Sequence, residues 1–181
     1  MKTNGNLYVI SGDITADHLL NIADAVVLPT NPMMRCGAGV SGAIFKKAGV
    51  DDLENYTERT FGISYYDETR NNEMKITEVR VTPGFALPCE IIFAQGPCLY
   101  YFDDFQTALD LLLETYQNIL HTAVKRGYKA VLIPALGTGS YGFTHENTSK
   151  HVIEVIRRFI QENSIEVYFV VSNDEIKELY L

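Results

Sequence analysis

The sequence predicts an α/β fold in which helices cover both faces of a mixed β-sheet. Short apolar runs of the strand type alternate along the chain with longer segments whose apolar residues recur at steps of three and four, as in amphipathic helices. The strand-like runs at 78–82 and 91–94 are separated by a short segment with two prolines and a glycine, so we expect them to be hairpin neighbours. The predicted sheet is therefore mixed rather than wholly parallel.

Length and apolar content predict one domain over residues 1–181. The chain has 181 residues, of which 46% are hydrophobic, and this is enough for one core but thin for two. The predicted strands lie at 7–10, 25–28, 78–82, 91–94, 130–133 and 166–171. The predicted helices lie at 16–21, 40–48, 51–63, 105–124 and 152–160.

Several residues are candidate helix ends. We expect Thr15 to open the helix at 16–21, and Asp103 or Asp104 to cap the clearest helix, because such side chains accept hydrogen bonds from free amides of a first turn. Gly127 lies just past the end of that clearest helix, where glycine commonly ends helices.

The overall charge excludes two classes of partner. The net charge is −8, so the chain lacks the positive field that draws proteins to nucleic acid or to an anionic membrane. We therefore expect no membrane partner and no nucleic acid. An anionic ligand would have to be bound by local backbone dipoles.

Cysteine usage and the N-terminus indicate a cytoplasmic protein. Cys36, Cys89 and Cys98 form no CxxC pair, and an odd count is typical of a reducing compartment. The N-terminal apolar run is too short for a signal peptide, and no segment approaches the roughly 18 apolar residues of a membrane span. His145 and His151 do not have the spacing of a helical metal pair, so we expect no metal and no cofactor.

Two segments of the chain have the pattern GxGxxG, namely GAGVSG at 37–42 and GTGSYG at 137–142. Glycines let the backbone turn with positive φ and approach an anion closely, while a helix N-terminus has free N–H groups and roughly half a positive charge. Either segment alone is equally well explained as a glycine turn at a helix entrance. Together they predict two loops that grip one diphosphate from both sides.

The positions of these segments exclude a nicotinamide dinucleotide fold. That fold needs the motif directly after the first strand and an acidic residue about 20 positions later. The first copy is separated from its strand by residues 29–36, and the second begins at residue 137, with a single further predicted strand after it.

Four blocks of the sequence follow one another in a distinctive order. They are GDIT at 12–15, AVVLPTN at 25–31, GAGVSGAIFKKAG at 37–49 and PALGTGSYGF at 134–143. In order and spacing they resemble the macro domain, the module that binds ADP-ribose, although the second block replaces the family's VVNAAN. The resemblance covers nearly the whole chain. It implies a three-layer α/β/α sandwich with a mixed six-stranded sheet and a ligand cleft at the strand ends.

The resemblance assigns adenine to the ends of the first and last strands. Asp13 would accept a hydrogen bond from the adenine amino group, and Ile14 would add its backbone. Ser172 and Asn173 would lie beside the base. Structural alternatives stay open, since Asp13 could simply cap the helix at 16–21 and residues 172–173 could be a polar strand end.

The resemblance assigns the distal ribose and the diphosphate to the glycine segments. Asn31 would bind the distal ribose, although an asparagine before Pro32 could instead close a turn. Tyr141 and Phe143 would close over the sugar, or else cover the sheet edge. The remaining implied ligand residues are Gly37, Ala38, Gly39 and Val40 at the distal ribose and its phosphate, and Gly137, Thr138, Gly139, Ser140 and Tyr141 around the diphosphate.

The residue at position 41 bears on hydrolysis. The hydrolytic subgroup that looks closest has GGGVDG in its first glycine segment, with an aspartate that positions the attacking water. This chain has Ser41 there, and a hydroxyl cannot supply the negative charge of a carboxylate. Lys46 and Lys47 resemble the lysine of another subgroup, but its acidic partner is missing from 137–143, so we expect both on a solvated helix face.

We therefore expect a protein that binds ADP-ribose or a related ADP-ribosyl metabolite, free or as a mono-ADP-ribosyl modification of a partner protein. The alternative is a hydrolase that removes ADP-ribose from proteins or deacetylates O-acetyl-ADP-ribose, with Asn31 and Ser41 as the catalytic candidates. A third class, nucleic-acid recognition, is disfavoured because the acidic chain has no basic stripe with interleaved aromatic residues.

Overall fold

The computed structural model describes residues 4–64 and 66–181, so the first three residues of the N-terminal stretch lie outside it. Its centre is a six-stranded sheet with the order β1-β6-β5-β2-β4-β3. Neighbouring strands are parallel except for β3, which pairs antiparallel with β4, so the predicted mixed sheet and hairpin are confirmed. The strands are β1 (Asn6–Ser11), β2 (Ala25–Pro29), β3 (Val79–Thr82), β4 (Glu90–Ala94), β5 (Ala130–Pro134) and β6 (Glu166–Val171).

Helices form a layer on each face of the sheet. One face carries α1 (Asp17–Leu20), α2 (Gly39–Ala48) and α3 (Val50–Phe61), and the other carries α4 (Phe105–Lys125), α5 (His145–Glu162) and the short α6 (Asp174–Glu178). The α/β/α sandwich is thus confirmed. Among the residues described, no helix combines the length and the apolar composition needed to cross a membrane.

The central strands β2 and β5 are buried on both faces. Their side chains alternate between two cores, since Val27 and Val131 pack beneath α4 and α5 whereas Val26 and Leu132 pack beneath α1 to α3. Burying one such aliphatic side chain stabilises the fold by about 1.5–3 kcal/mol. The two helical layers are therefore held together through the middle of the sheet.

Local backbone chemistry explains where the helices differ from prediction. The helices predicted at 40–48 and 51–63 correspond to α2 and α3, and Gly49, which has φ of 104°, ends α2. Asp104 caps α4 by accepting a hydrogen bond from the Thr107 amide at 2.9 Å. The prediction that Thr15 opens α1 was wrong, since α1 begins after Ala16 without a side-chain cap. The five-residue α6 was not predicted because it is too short for a periodic pattern.

Tyr116 of α4 fixes the point where β5 ends. It is fully buried, and its hydroxyl accepts a hydrogen bond from the Leu136 amide at 2.7 Å and donates one to the Pro134 carbonyl at 3.3 Å. These bonds satisfy buried backbone groups at the end of β5. The glycine segment at 137–142 therefore leaves the sheet from a fixed base.

We predict that Tyr116→Phe lowers the free energy of unfolding by about 1–3 kcal/mol, because the buried Leu136 amide loses its acceptor. Urea denaturation followed by circular dichroism measures the change. The control is Tyr101→Phe, at a tyrosine that is 87% exposed, which should stay within about 0.5 kcal/mol of wild type. Equal stability of the two variants would contradict the role given to the Tyr116 hydroxyl.

Candidate functional site

A cavity of about 480 Å³ lies between the first glycine loop (37–42) and the second glycine loop (137–142). Its volume falls within the range of about 300–1,000 Å³ that is typical of small-molecule sites. The residues that line it are Pro29, Thr30, Asn31, Gly37, Ala38, Gly39, Val40, Ser41, Ala135, Gly137, Thr138, Gly139, Ser140 and Tyr141.

The pairing of β2 with β5 brings the two loops together. These strands are parallel, with Ala25 opposite Val131 and Val26 opposite Leu132. Parallel neighbours end at the same edge of a sheet, and clefts at that edge are the usual ligand sites of such folds. Two segments that are far apart in sequence therefore face each other across the cavity.

The loop between β2 and the first glycine loop is held by side chains on both of its sides. The Asn31 amide group donates to the Arg35 carbonyl at 2.9 Å, and its oxygen accepts from the Arg35 amide at 3.1 Å. From α3, Glu54 accepts a hydrogen bond from the Cys36 amide at 2.8 Å and pairs with the Arg35 guanidinium at 3.4 Å. Asn31 thus closes a turn, as the structural alternative expected, and one hydrogen of its amide group has no acceptor among the described residues.

The start of α2 presents free amides to the cavity. Its N-cap is Ala38, which has no side chain able to cap, and the amides of residues 37–41 donate to no acceptor among the described residues. Gly42 has to lack a side chain, because a Cβ atom there would collide with the Gly37 carbonyl oxygen. The wall formed by this loop therefore has the partial positive charge of a helix N-terminus.

The second glycine loop presents a similar row of amides. Within the described parts of the chain, the amides of residues 137–141 donate to no protein acceptor. Positive φ angles of 76° at Gly137 and 87° at Gly142 turn the chain at the two ends of the loop. The Thr138 hydroxyl donates to the Ala135 carbonyl at 3.0 Å, so it supports the loop from within.

The two aromatic residues of the second loop have different positions. Tyr141 lines the cavity, and its hydroxyl lies 3.4 Å from both the Thr30 carbonyl and the Gln95 amide group. Phe143 is 3% exposed and packs beneath the loop against Gly137 and Phe105, so the expectation that it covers the sugar is corrected. Its ring belongs to the core beneath α4 and α5.

Asp13 lies at the end of β1 rather than in the cavity wall. Its Oδ1 atom accepts hydrogen bonds from the Thr15 amide at 2.8 Å and the Thr15 hydroxyl at 2.7 Å, which makes a local turn and not a helix cap. Those two bonds, with a smaller contribution from the charge of Lys47, hold the pKa of Asp13 below its ordinary value. Asp13 is therefore a carboxylate at neutral pH, and its Oδ2 atom faces no donor among the described residues.

The other residues predicted at the adenine end have mixed positions. Ile14 is buried, whereas Ser172 is exposed after β6. Asn173 caps α6 by accepting a hydrogen bond from the Ile176 amide at 2.9 Å. This capping role was not predicted, since residues 172–173 were expected either beside adenine or as a polar strand end. The Gly12 amide donates to the Val171 carbonyl at 2.8 Å, which keeps the ends of β1 and β6 together.

The two lysines of α2 also differ. Lys46 is exposed, as expected, whereas Lys47 donates to Asp17 at 2.6 Å and to the Thr15 carbonyl at 2.5 Å. Lys47 is exposed as well, so the prediction that both lysines lie on a solvated face is confirmed, although the ion pair of Lys47 with Asp17 was not predicted. Its side chain joins α2 to the turn that contains Asp13.

Ser41 places an uncharged hydroxyl in the cavity wall. Its Oγ atom is buried and has no hydrogen-bond partner among the described residues. None of the described residues that line the cavity is acidic or basic. The cavity thus offers hydrogen-bonding groups and backbone dipoles, but no side chain with the charge of a general base.

Three residues of the cavity wall, Pro29, Thr30 and Ala135, were not among the predicted site residues. Thr30 and Ala135 each follow the last residue of a buried strand, Pro29 in β2 and Pro134 in β5. Their position in the sequence could have identified Thr30 and Ala135, because the first residue after a central parallel strand lies at the edge of the sheet where ligands bind.

We predict that Thr15→Val raises the pKa of Asp13, because the variant removes the hydroxyl bond that lowers this pKa most. In the wild type these bonds stabilise the folded state above the ordinary carboxyl pKa of about 3.9, and the stabilisation is lost as pH falls through the lower folded-state value. An NMR titration of the Asp13 carboxyl carbon measures the shift.

A matched control for this titration is Thr69→Val. Thr69 binds Asp67 through the same amide and hydroxyl pair, at 3.0 Å and 2.5 Å, and lowers the pKa of that carboxyl. The control should raise the pKa of Asp67 and leave that of Asp13 alone. An unchanged Asp13 pKa in Thr15→Val would contradict the assignment.

Comparisons with known proteins agree on one family. The family model of the macro domain matches residues 27–152. O-acetyl-ADP-ribose deacetylase of Citrobacter rodentium is 30% identical over 98% of this chain and 94% of that protein. The deacetylase of the same name from Enterobacter cloacae is 31% identical over 95% of this chain and 89% of that protein.

Solved structures agree with this result. The Oceanobacillus iheyensis macrodomain with ADP has a TM-score of 0.80 and 26% identity, and the match covers 99% of this chain and 90% of that one. A mutant of the same macrodomain with ADPR has a TM-score of 0.82 and 26% identity, and covers 99% of this chain and 92% of that one. With its two glycine loops on one cavity, this chain belongs to the macro domain family.

Proposed function

We propose that this chain binds ADP-ribose, with the diphosphate held between the two glycine loops. The observation that carries the proposal is the arrangement of free backbone amides on both sides of one cavity, at 137–141 and at the start of α2. Phosphate groups are commonly bound by such amides and by helix N-termini. The similar macrodomains with ADP and with ADPR support this choice of ligand.

The order of the strands supports an orientation for the ligand. Along the carboxyl edge the order is β1, β6, β5 and β2, so the ends of β1 and β6 follow the second glycine loop on the side away from the first. From β1 to β2 there are three strand spacings of about 4.8 Å each, so the two strand ends lie about 14 Å apart. A ligand with its diphosphate over β5 therefore extends its adenosine toward Asp13 and its distal ribose toward β2.

Asp13 is the proposed acceptor for the adenine amino group. Its Oδ1 atom is used by Thr15, while the ionised carboxylate still offers Oδ2 to a donor. A carboxylate accepts from an exocyclic amine and repels the carbonyl oxygen that another base would place there. The Ile14 backbone, Ser172 and the backbone of Asn173 complete this end of the site.

Asn31 and the first glycine loop are the proposed contacts of the distal ribose. Although Asn31 binds the Arg35 backbone, its second amide hydrogen is available to a sugar hydroxyl. The amides at the start of α2 would bind the neighbouring phosphate. Because this end of the cavity is lined by small residues, we also propose a mono-ADP-ribosylated protein as a ligand, bound through its ADP-ribosyl group.

One domain over 1–181 and a cytoplasmic location complete the proposal. All six strands join one sheet, which supports a single domain. Cys36, Cys89 and Cys98 are free thiols, and thiols of this kind persist in a reducing compartment.

We predict that the wild type binds ADP-ribose with micromolar affinity, which corresponds to about 8 kcal/mol. Asp13→Ala should weaken binding about tenfold to a hundredfold, because a hydrogen bond to a charged group contributes about 1.5–3 kcal/mol. Titration calorimetry measures both, and the midpoint of thermal unfolding reports on the fold. Asp67→Ala, which removes a carboxylate from the same kind of turn, is the control.

Two outcomes would count against this proposal. Absence of binding heat and of thermal stabilisation with millimolar ADP-ribose would reject ADP-ribose as the ligand. Equal affinities of Asp13→Ala and Asp67→Ala would reject the adenine contact while leaving the diphosphate site in place.

Hydrolysis of O-acetyl-ADP-ribose, or of an ADP-ribosylated protein, is the second candidate function. The observation that favours it is the name of the relatives, which are deacetylases about 30% identical to this chain over almost their whole length. Water would attack the acetyl carbonyl, the bond to the ribose oxygen would break, and acetate and ADP-ribose would leave. Asn31 and the ligand's own diphosphate would orient the water, with Ser41 adding a neutral hydrogen bond.

We predict that Ser41→Asp hydrolyses O-acetyl-ADP-ribose at least about a hundredfold faster than the wild type, because a positioned general base contributes about 10²–10⁴-fold. The wild type should not exceed the blank rate. Chromatography of the reaction mixture over time measures both rates. If instead the wild type forms ADP-ribose and Asn31→Ala does not, the hydrolase is the correct assignment.

A further inference from the structure

Tyr100 is a surface residue that lies against the second glycine loop. It belongs to a short 3₁₀ turn, Leu99–Tyr101, which connects β4 to α4. Its surface is 75% exposed, so the ring contributes little to either core. Any effect of the ring on the structure therefore has to come from the residues that it contacts.

The ring of Tyr100 covers Gly142 at the end of the loop. A Cβ atom built on Gly142 would lie 2.7 Å from Cζ and 2.8 Å from Cε2 of Tyr100, which is closer than side chains approach one another. Gly142 also has φ of 87°, a conformation that other residues rarely adopt. A glycine is therefore required both by the turn and by the ring that rests on it.

A backbone hydrogen bond places the ring over the glycine. The Leu99 amide donates to the Tyr141 carbonyl at 2.8 Å. This bond joins the residue before Tyr100 to the residue before Gly142. The bond thus fixes the 3₁₀ turn against the end of the loop. As a result, the Tyr100 ring lies over Gly142.

Apart from the hydrogen bond of the Thr138 hydroxyl to the Ala135 carbonyl, the second glycine loop has few hydrogen bonds of its own. The Gly142 amide donates to the Gly139 carbonyl at 3.3 Å and the Phe143 amide donates to the Gly137 carbonyl at 3.1 Å. The amides of 137–141 have no acceptor among the described residues. Contacts with residues outside the loop therefore have to maintain much of its conformation.

We propose that Tyr100 is a positioning residue that holds the second glycine loop in the shape that forms the cavity. The inference rests on the proposed function, because the amides that it positions are those assigned to the diphosphate. Tyr100 is not among the residues that line the cavity, so it acts through Gly142 and Tyr141. A loop already held in its binding shape binds without the cost of ordering.

The test of this proposal compares Tyr100→Ala with Tyr101→Ala, a neighbouring tyrosine that is 87% exposed. If loss of the ring lowers the binding-competent fraction of the loop to about a tenth, ADP-ribose affinity falls about tenfold. We expect that loss in Tyr100→Ala by titration calorimetry, and less than about a twofold change in Tyr101→Ala. Tyr100→Phe keeps the ring and should restore wild-type affinity. The thermal midpoints should stay close to wild type.

A second measurement needs no ligand. In Tyr100→Ala, NMR should detect faster hydrogen exchange at the Gly142 and Phe143 amides, whose bonds close the loop, while Tyr101→Ala leaves them unchanged. Absence of ADP-ribose binding by the wild type would reject the proposed function, and the exchange rates would still decide the role of Tyr100. Exchange and affinity in Tyr100→Ala equal to those in Tyr101→Ala would overturn the positioning role.

Discussion

The parallel pairing of β2 with β5 is the constraint on which the cavity depends. Both strands are buried on both faces, and because they are parallel, the end of β2 at Pro29 and the end of β5 at Pro134 lie at the same edge of the sheet. The segment after β5 is loop, and the segment after β2 is loop up to the start of α2, so contacts from other elements fix their shape. Glu54 fixes the first side through the Cys36 amide, and Tyr116 fixes the second through the backbone that follows β5.

Free amides would let the cavity bind an anion within an acidic protein, because electrostatic interactions depend on distance. A net charge of −8 acts over long distances and is screened by salt, whereas amides at hydrogen-bonding distance act directly on a bound group. Amides without a protein acceptor also lose little when a phosphate binds, because no internal hydrogen bond has to break first. The free amides of both loops therefore serve binding better than amides used within the fold.

Sequence reasoning succeeded where the signal was local or repeated. The alternation of strands and helices predicted the sandwich, and the two GxGxxG segments predicted two facing loops although they lie far apart along the chain. It failed for side chains whose partners are distant in sequence. Phe143 is buried in the core beneath α4 and α5, where it lies against Phe105, and the exposed Lys47 pairs with Asp17; neither contact leaves a pattern in the residues nearby. The capping use of Asn173 was missed because α6 itself was too short to predict.

The uncharged lining of the cavity has a consequence for the conditions in which the site operates. Apart from Tyr141, no described residue on its wall has an ionisable side chain, and peptide dipoles carry no proton to gain or lose near neutrality. A change in cellular acidity across the physiological range would therefore leave the diphosphate end of the site unaltered.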